Sequence, residues 1–458
     1  MDCDAAHVGA AHVGTLASWP HCDADPHLNH ARPKFEQTAE HTGAGFSHDR
    51  QANSAPPGAG QLHPQRGNAP FAPARVSHAD RTYFRDRAPT LVDGVYPRLR
   101  AQYVGERIYG VRRLCRDGEL ATVTEALAQW EADKARIAGA RTAVIELRDS
   151  DTYYEAPAFN LEPGEHLRLR AVGIERPVLR ILDGGDGERA CLVVRGGAGS
   201  RFMLDGVALR GGAIDIASTH AAQDDGPAPP AFTVRLRHCT LVPGWDPASV
   251  ERSAWRGKPS IDARPAHLAL RIEHSILGPI RVASVAERSP MLDLHVGNSI
   301  IDGGHEAALA ISDDGYGAAM AQAQFSRVTV IGAVQVQQLG LAANSLFLGA
   351  LLVAQRSTGC VSFSYLAPGS KTPHRIDCQP ELAQQSAGVN APVQDLRVQP
   401  RFATLQYGAP GYGRLVPGCA EEITCGADDH TQMGATDDQR PTGTLVAVVA
   451  HPPLAHTR

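Results

Sequence analysis

The chain is 458 residues long, with 44 Lys and Arg against 49 Asp and Glu and a formal net charge of −5. Charges of both signs are interspersed, so no basic stripe marks a nucleic-acid surface and nucleic acid is not expected as a partner. Aromatic residues make up only 5% while Gly (45) and Pro (32) are abundant, which suits a thin, stacked core with many turns.

Residues 1–88 hold nine of the 20 histidines, with much Ala, Pro, Gly and Asn and neither a helical nor a strand period. Such a composition cannot bury enough apolar surface to fold alone and predicts a low-complexity, disordered segment. The histidines lack HxH or HxxxH regularity, so no metal site is expected among them. The first residues are acidic where a secretion signal is basic. The longest apolar run, 339–354, contains Asn344 and Ser345 and falls short of the ~20 residues that span a bilayer. The expectation is a protein made in the cytoplasm, without a Sec signal or membrane span; a place in a particle that acts outside the cell is compatible with it. Nine scattered cysteines with no CxxC pair predict reduced thiols, no zinc site and no cofactor.

An ordered amino-terminal segment is expected over 89–150. Within it Thr122–Ile137 is the clearest helix: Thr122 or Thr124 can cap it, and Val123, Ala126, Leu127 and Trp130 fall on one side. A strand follows at Ala143–Leu147, then the sequence DSDTYYE (149–155), then strand-like His166–Ala171 and Pro177–Leu182.

The span 151–365 repeats one pattern without a fixed period, most clearly from Cys191 onward. Alternating apolar positions lead to a short polar residue and then resume, as in Val234, Leu236, His238, Thr240, Val242 and in Leu292, Leu294, Val296, Asn298, Ile300. Aligned, the copies place Asp205, His238, His274, Asn298, Ser326 and Asn344 in one column, at intervals of 18 to 36 residues. Period-two alternation means strands with one face inward. A short unit repeated this often means that each buries its face against its neighbours. The prediction is an all-β, single-stranded parallel β-helix of six or seven rungs, right-handed by the rule for parallel crossovers. The polar column fits an inside corner where stacked side chains hydrogen-bond from rung to rung. Pro- and Gly-rich insertions at 220–230 and 244–264 read as loops bulging from the coil. Residues 366–435 read as a closing segment and 436–458 as a flexible tail.

The helix TVTEALAQW, the strand AVIEL, DSDTYYE and LRLRA resemble the start of right-handed parallel β-helix proteins of the pectin lyase-like superfamily. In pectinesterases of that superfamily an amphipathic helix caps the first rung and a Gly-x-Tyr-x-Glu stretch leads into the solenoid. Such a cap covers the unpaired edge and apolar core of a terminal rung. The segments LRHCTLVPG and SKTPHRIDCQPEL, with GADD and MG near the end, resemble bacterial β-helix proteins of phage-tail-like and contractile-injection assemblies. The resemblance spans roughly residues 120–435 and implies a structural role.

Each chemistry of the superfamily requires its own set of residues. Hydrolysis of the polygalacturonase kind needs clustered carboxylates. The candidates are Asp302 in IIDGG, Asp313 and Asp314 in SDDG, and Asp224 and Asp225 in QDDG. Neighbours on a strand point to opposite faces, and Asp-Asp-Gly is ordinary turn chemistry. Lyase chemistry needs calcium and an arginine base. Arg210, Arg235, Arg237, Arg271 and Arg281 lie on or near strands, but the column carries one carboxylate, Asp205. Gln335, Gln337 and Gln338 lack the aspartates of an esterase. His238 and His274, on successive copies, could bind metal if they faced out; their parity favours an inward ladder. No complete catalytic set emerges. The expectation is therefore a non-enzymatic structural or binding protein whose partners are proteins of a larger assembly or a polysaccharide, with the loops at 217–231 and 244–264 as contact surface. Self-association is compatible with it. The alternative is a polysaccharide lyase or glycoside hydrolase with an atypical site.

Overall fold

The computed structural model describes residues 106–435 except 115, 117, 138–139, 174, 182–190, 220–229, 242–257, 284–289, 388–390 and 408–410. The expected disordered segment 1–88 and tail 436–458 lie outside the described residues. The described strands pair in parallel and follow one another around three faces, repeating in the same order along the chain. Face 1 includes Thr142–Leu147, His166–Ala171, Arg201–Asp205, Phe232–Arg237, Leu268–Glu273, Leu292–Gly297 and Ala319–Ser326. Among the described residues, face 2 is a sheet of nine short strands from Thr152–Tyr153 to Tyr365–Leu366. Face 3 includes Cys191–Gly196, Ala213–Ser218, Ile261–Arg264, Ile280–Val282 and Leu309–Asp313. The described residues form a parallel β-helix.

Nine rungs on face 2 exceed the six or seven expected. Two of the first rungs turn through Gly173 and Gly206 rather than through a polar residue, and so they add no member to the polar column.

Alternation sets the core. Face 1 strands bury every second residue, and in register these stack as Ile145, Leu169, Leu204, Leu236, Ile272, Val296 and Phe325. Face 2 contributes Leu179, Leu209, Leu241, Leu277, Ile301, Val330 and Phe347, and face 3 contributes Leu192, Ile214, Ile261, Ile280 and Ile311. Each fully buried aliphatic side chain of this kind contributes roughly 1.5–3 kcal/mol. The small cross-section leaves little room for rings, which accounts for the low aromatic content.

Helix α1, Val123–Arg136, sits between the first face 1 strand, Arg107–Val111, and the second, Thr142–Leu147. It packs Val123, Ala126 and Trp130 inward, and the Trp130 indole donates to the Ala140 carbonyl at 3.0 Å. Thr122 and Glu125 form a capping box. Glu155, the last residue of DSDTYYE, accepts from the Val123 and Thr124 amides and the Thr124 hydroxyl at 2.7–3.0 Å. Asp149 of the same stretch accepts from Tyr153 Oη and the Arg113 amide. The motif thus ties the first rung to the exposed donors of the cap.

Residues 401–435 run along the side of face 2 rather than across the end of the coil. Outward face 2 residues Ile276, Ile300, Ile331 and Leu348 pack with Tyr407, Tyr412 and Ala435, while Leu346 and Tyr365 pack with Leu415, Ile423 and Met433. Polar clasps hold this strap: Arg327 pairs with Asp429, Asn344 exchanges two hydrogen bonds with Asp428, and the Gly434 amide donates to the Asn344 carbonyl. These contacts use the GADD and MG stretches. The short helices α2 (Glu381–Ala387) and α3 (Ala391–Arg397) come after the last rung.

Replacing Glu155 by Ala should cost about 1–2 kcal/mol, read as a lower urea midpoint with an unchanged slope. Tyr412→Phe, which strips a 2.6 Å donor from the buried Asp302 carboxylate, should cost about 1–3 kcal/mol by the same measurement. An unchanged midpoint in either variant would contradict the assigned bond.

Candidate functional site

The corner from face 1 to face 2 is made by one residue with positive φ. Gly206 (76°), His238 (51°), His274 (48°), Asn298 (45°), Arg327 (55°) and Asn344 (55°) occupy it in successive coils. Asn and His tolerate this left-handed conformation better than most residues, so corner geometry accounts for much of the polar column. Register separates two of its members from the rest. Asp205 pairs with Arg237, and Ser326 with Gly297, each one position before the corner. A left-handed residue also breaks the strand parity from which an inward orientation was inferred. Asn344 bonds Asp428 of the strap, outside the coil. His238 and His274 stack with centroids 5.1 Å apart and ring planes 17° from parallel, and His238 is 2% exposed.

The inward polar row lies one residue further on. Ser275, Ser299, Ser345 and Ser364 are buried. Each donates its hydroxyl to the carbonyl two residues back at 2.7–2.8 Å. Each also accepts an amide of the preceding coil at 3.0–3.1 Å: Cys239 to Ser275, Ser275 to Ser299, Val328 to Ser345 and Ser345 to Ser364. The left-handed corner leaves these amides without a strand partner, and serine supplies one. Small residues directly after the corner were the sequence signal for this row.

The sequence-derived carboxylates occupy structural positions. Asp302 is buried on face 2, accepting from Tyr412 Oη at 2.6 Å and the Gly304 amide at 2.8 Å. Burial and the Asp302 charge push the Tyr412 phenol well above its usual pKa, so it remains a donor. Asp313 ends a face 3 strand and closes its own turn by accepting the Gly317 amide. Asp314 follows in that exposed turn. The three are not gathered into one site. Asp224 and Asp225 lie outside the described residues, as does most of each predicted contact loop. Two corrections apply at the loop ends: Ala213–Ser218 and Ile261–Arg264 are face 3 strands, held by parallel ladders rather than bulged out.

Face 3 brings together residues that periodicity alone did not single out. Asp215, Asp262 and Arg281 are register partners on three successive strands, about 4.8 Å per step. Asp215 pairs with Arg195. The Arg281 guanidinium lies 4.8 Å from the ring centroid of exposed Tyr316, within cation–π range. Long insertions separate Asp215 from Asp262 in the chain, while Arg281 follows Asp262 after a single short coil, so no fixed spacing joins the three.

On face 1 the outward rows are ion-paired. Arg235 meets Glu273 at 2.7 Å, Arg170 meets Glu146 at 2.7 Å, and Asp293 takes Arg271 at 2.5 Å and His295 at 2.9 Å. Burial alone would raise the Asp293 carboxyl, but hydrogen bonds from His295 and Arg271 outweigh it and hold the pKa at about 2. At His166, burial lowers the imidazole pKa and the Arg201 charge lowers it further.

No model of a known protein family matches the chain, and no curated protein sequence matches it. Among the described residues no group of three or more His, Cys, Asp or Glu could hold a metal ion, and no helix is long and apolar enough to cross a membrane.

The depressed Asp293 pKa lends stability above the unfolded carboxylate pKa of about 4 that is lost as the pH falls towards 2. A carboxyl-carbon NMR titration should place the Asp293 midpoint near 2, and Arg271→Gln should move it towards 4. A midpoint unmoved by that substitution would contradict the pairing.

Proposed function

We propose that this chain is a non-enzymatic binding and structural β-helix, a rigid component of a larger assembly of the phage-tail-like kind, whose lateral faces hold an acidic polysaccharide. The observation that carries this reading is how the carboxylates are used. A general acid needs a pKa raised towards the working pH, and a general base needs accessible lone pairs. Asp302 is instead spent on Tyr412, Asp313 on its turn, and Asp293 is driven down to about 2 by its partners. Pairs of this sort stiffen a wall. The strap along face 2 covers apolar side chains there, while charged side chains line faces 1 and 3.

The run of Asp215, Asp262 and Arg281 on adjacent strands favours one second reading, a polysaccharide lyase or glycoside hydrolase of pectin lyase-like type with its site on face 3. There, two neighbouring carboxylates and a guanidinium would meet the same stretch of an extended substrate.

One experiment separates the two. The full chain is incubated with a panel of acidic polysaccharides, with and without calcium, and both retention on the polymer and new reducing or unsaturated ends are measured. Retention without new ends is expected. Release of products that disappears in the Asp215→Asn, Asp262→Asn double variant would establish the enzymatic reading and overturn the first.

A further inference from the structure

We infer that the α2–α3 hairpin behind the last rung is a docking site for an extended, uncharged apolar segment, and that its occupant is the stretch LVAVVA (445–450) of the same chain. Among the described residues seven large apolar side chains are exposed, and three of the seven lie on this hairpin: Leu382 is 38% exposed, Val393 61% and Leu396 71%. Val393 and Leu396 stand three apart on α3 and so share one side of it. Val398, directly after the helix, is fully buried and anchors α3 with that side turned out.

The charged groups around the pair already have partners. Glu381 pairs with Arg375, Asp395 accepts from Gln384, and Arg397 pairs with Glu422. The ground between them is neutral as well as apolar, which selects an uncharged occupant over a charged one.

The chain supplies such a segment. LVAVVA is the longest apolar run outside the described residues and carries no charge; Gly443 and Thr444 precede it, and Pro452 and Pro453 follow His451 after it. An apolar run of this β-prone kind invites aggregation when left in water. Burying it against the hairpin removes two exposed apolar surfaces at once.

Position favours this occupant over a second copy. The described residues end at Ala435. Just before that end the Met433 amide donates to the Ile423 carbonyl at 3.0 Å, and the neighbouring Glu422 accepts at 3.0 Å from Arg397, the residue next to Leu396. The strap thus delivers its end to the neighbourhood of the patch. Residues 436–444 join Ala435 to Leu445, enough chain to cover roughly 30 Å when extended. A tether of this length gives an effective concentration on the order of millimolar, which a second copy in solution does not reach.

Amide hydrogen exchange of the full chain, read over peptides covering 445–450 and expressed relative to the intrinsic rate of each sequence, tests the proposal. In the parent these amides should be protected at least about tenfold more than in the variant Val393→Ser, Leu396→Ser. The control Leu114→Ser, which alters a residue 78% exposed near the first rung, should leave the protection as in the parent. Val446→Ser, Val448→Ser should remove it from the other side, with the patch untouched. Because the contact is tethered, protection should be the same at about 1 and about 50 µM protein. Unprotected amides in the parent, equal protection in the parent and both double variants, or a loss in Leu114→Ser overturns the proposal. Protection that fades on dilution would give the patch to the tail of a second copy, and overturns it as well.

Discussion

Each coil from the fourth onward turns from face 1 to face 2 through a single residue held near φ +50°, and the architecture follows from that constraint. One left-handed residue turns the chain from one face to the next without spending length. The strands on either side can therefore stay in register with those above and below. It also strands an amide that no ladder can reach. Where the next coil carries a buried serine one position after its corner, that hydroxyl accepts the amide and so makes the corner tolerable in a dry interior. Because this corner admits no insertion from the fourth coil onward, length variation in those coils is displaced to the other two corners. The chain there varies freely, and the long insertions lie on either side of face 3.

Stacking by register also decides what the surface can be. Identical rungs place like positions in lines, so an arginine on one strand has its neighbour directly above rather than scattered. Lines of like charge repel unless carboxylates are interleaved, as Glu273 and Asp293 are on face 1. Face 2 follows a different course. Its outward residues are aliphatic, and in the later coils the chain covers them with its own strap, fastened by Arg327 and Asn344 to Asp429 and Asp428.

Much of this was legible from residues alone. Alternation over Leu292–Ile300 and its copies specified parallel strands and their inward side chains, because burial on one face has a period of two wherever strands occur. The capping helix was legible from Thr122, Glu125 and the apolar stripe through Trp130, since these are local effects within a few turns. The polar column was visible too, but its meaning was not. His238 and Asn298 are read equally well as inward ladder or as corner, and only the backbone angle distinguishes them. An offset of one residue, invisible in an alignment of short copies, moved Asp205 and Ser326 out of the row and hid the serines that hold it.

By itself the sequence determined the fold class, the period, the cap and the core, all of which depend on neighbours a few residues apart and on the partition of apolar groups from water. Tertiary structure decided which residues meet across coils: Glu155 with the first turn of the cap, Asp302 with Tyr412, Asp215 with Asp262, Arg235 with Glu273. Those partners stand between 31 and 110 residues apart. Insertions of unequal length between rungs remove any fixed spacing from which they could be read, and stacking in register, not distance along the chain, brings them together.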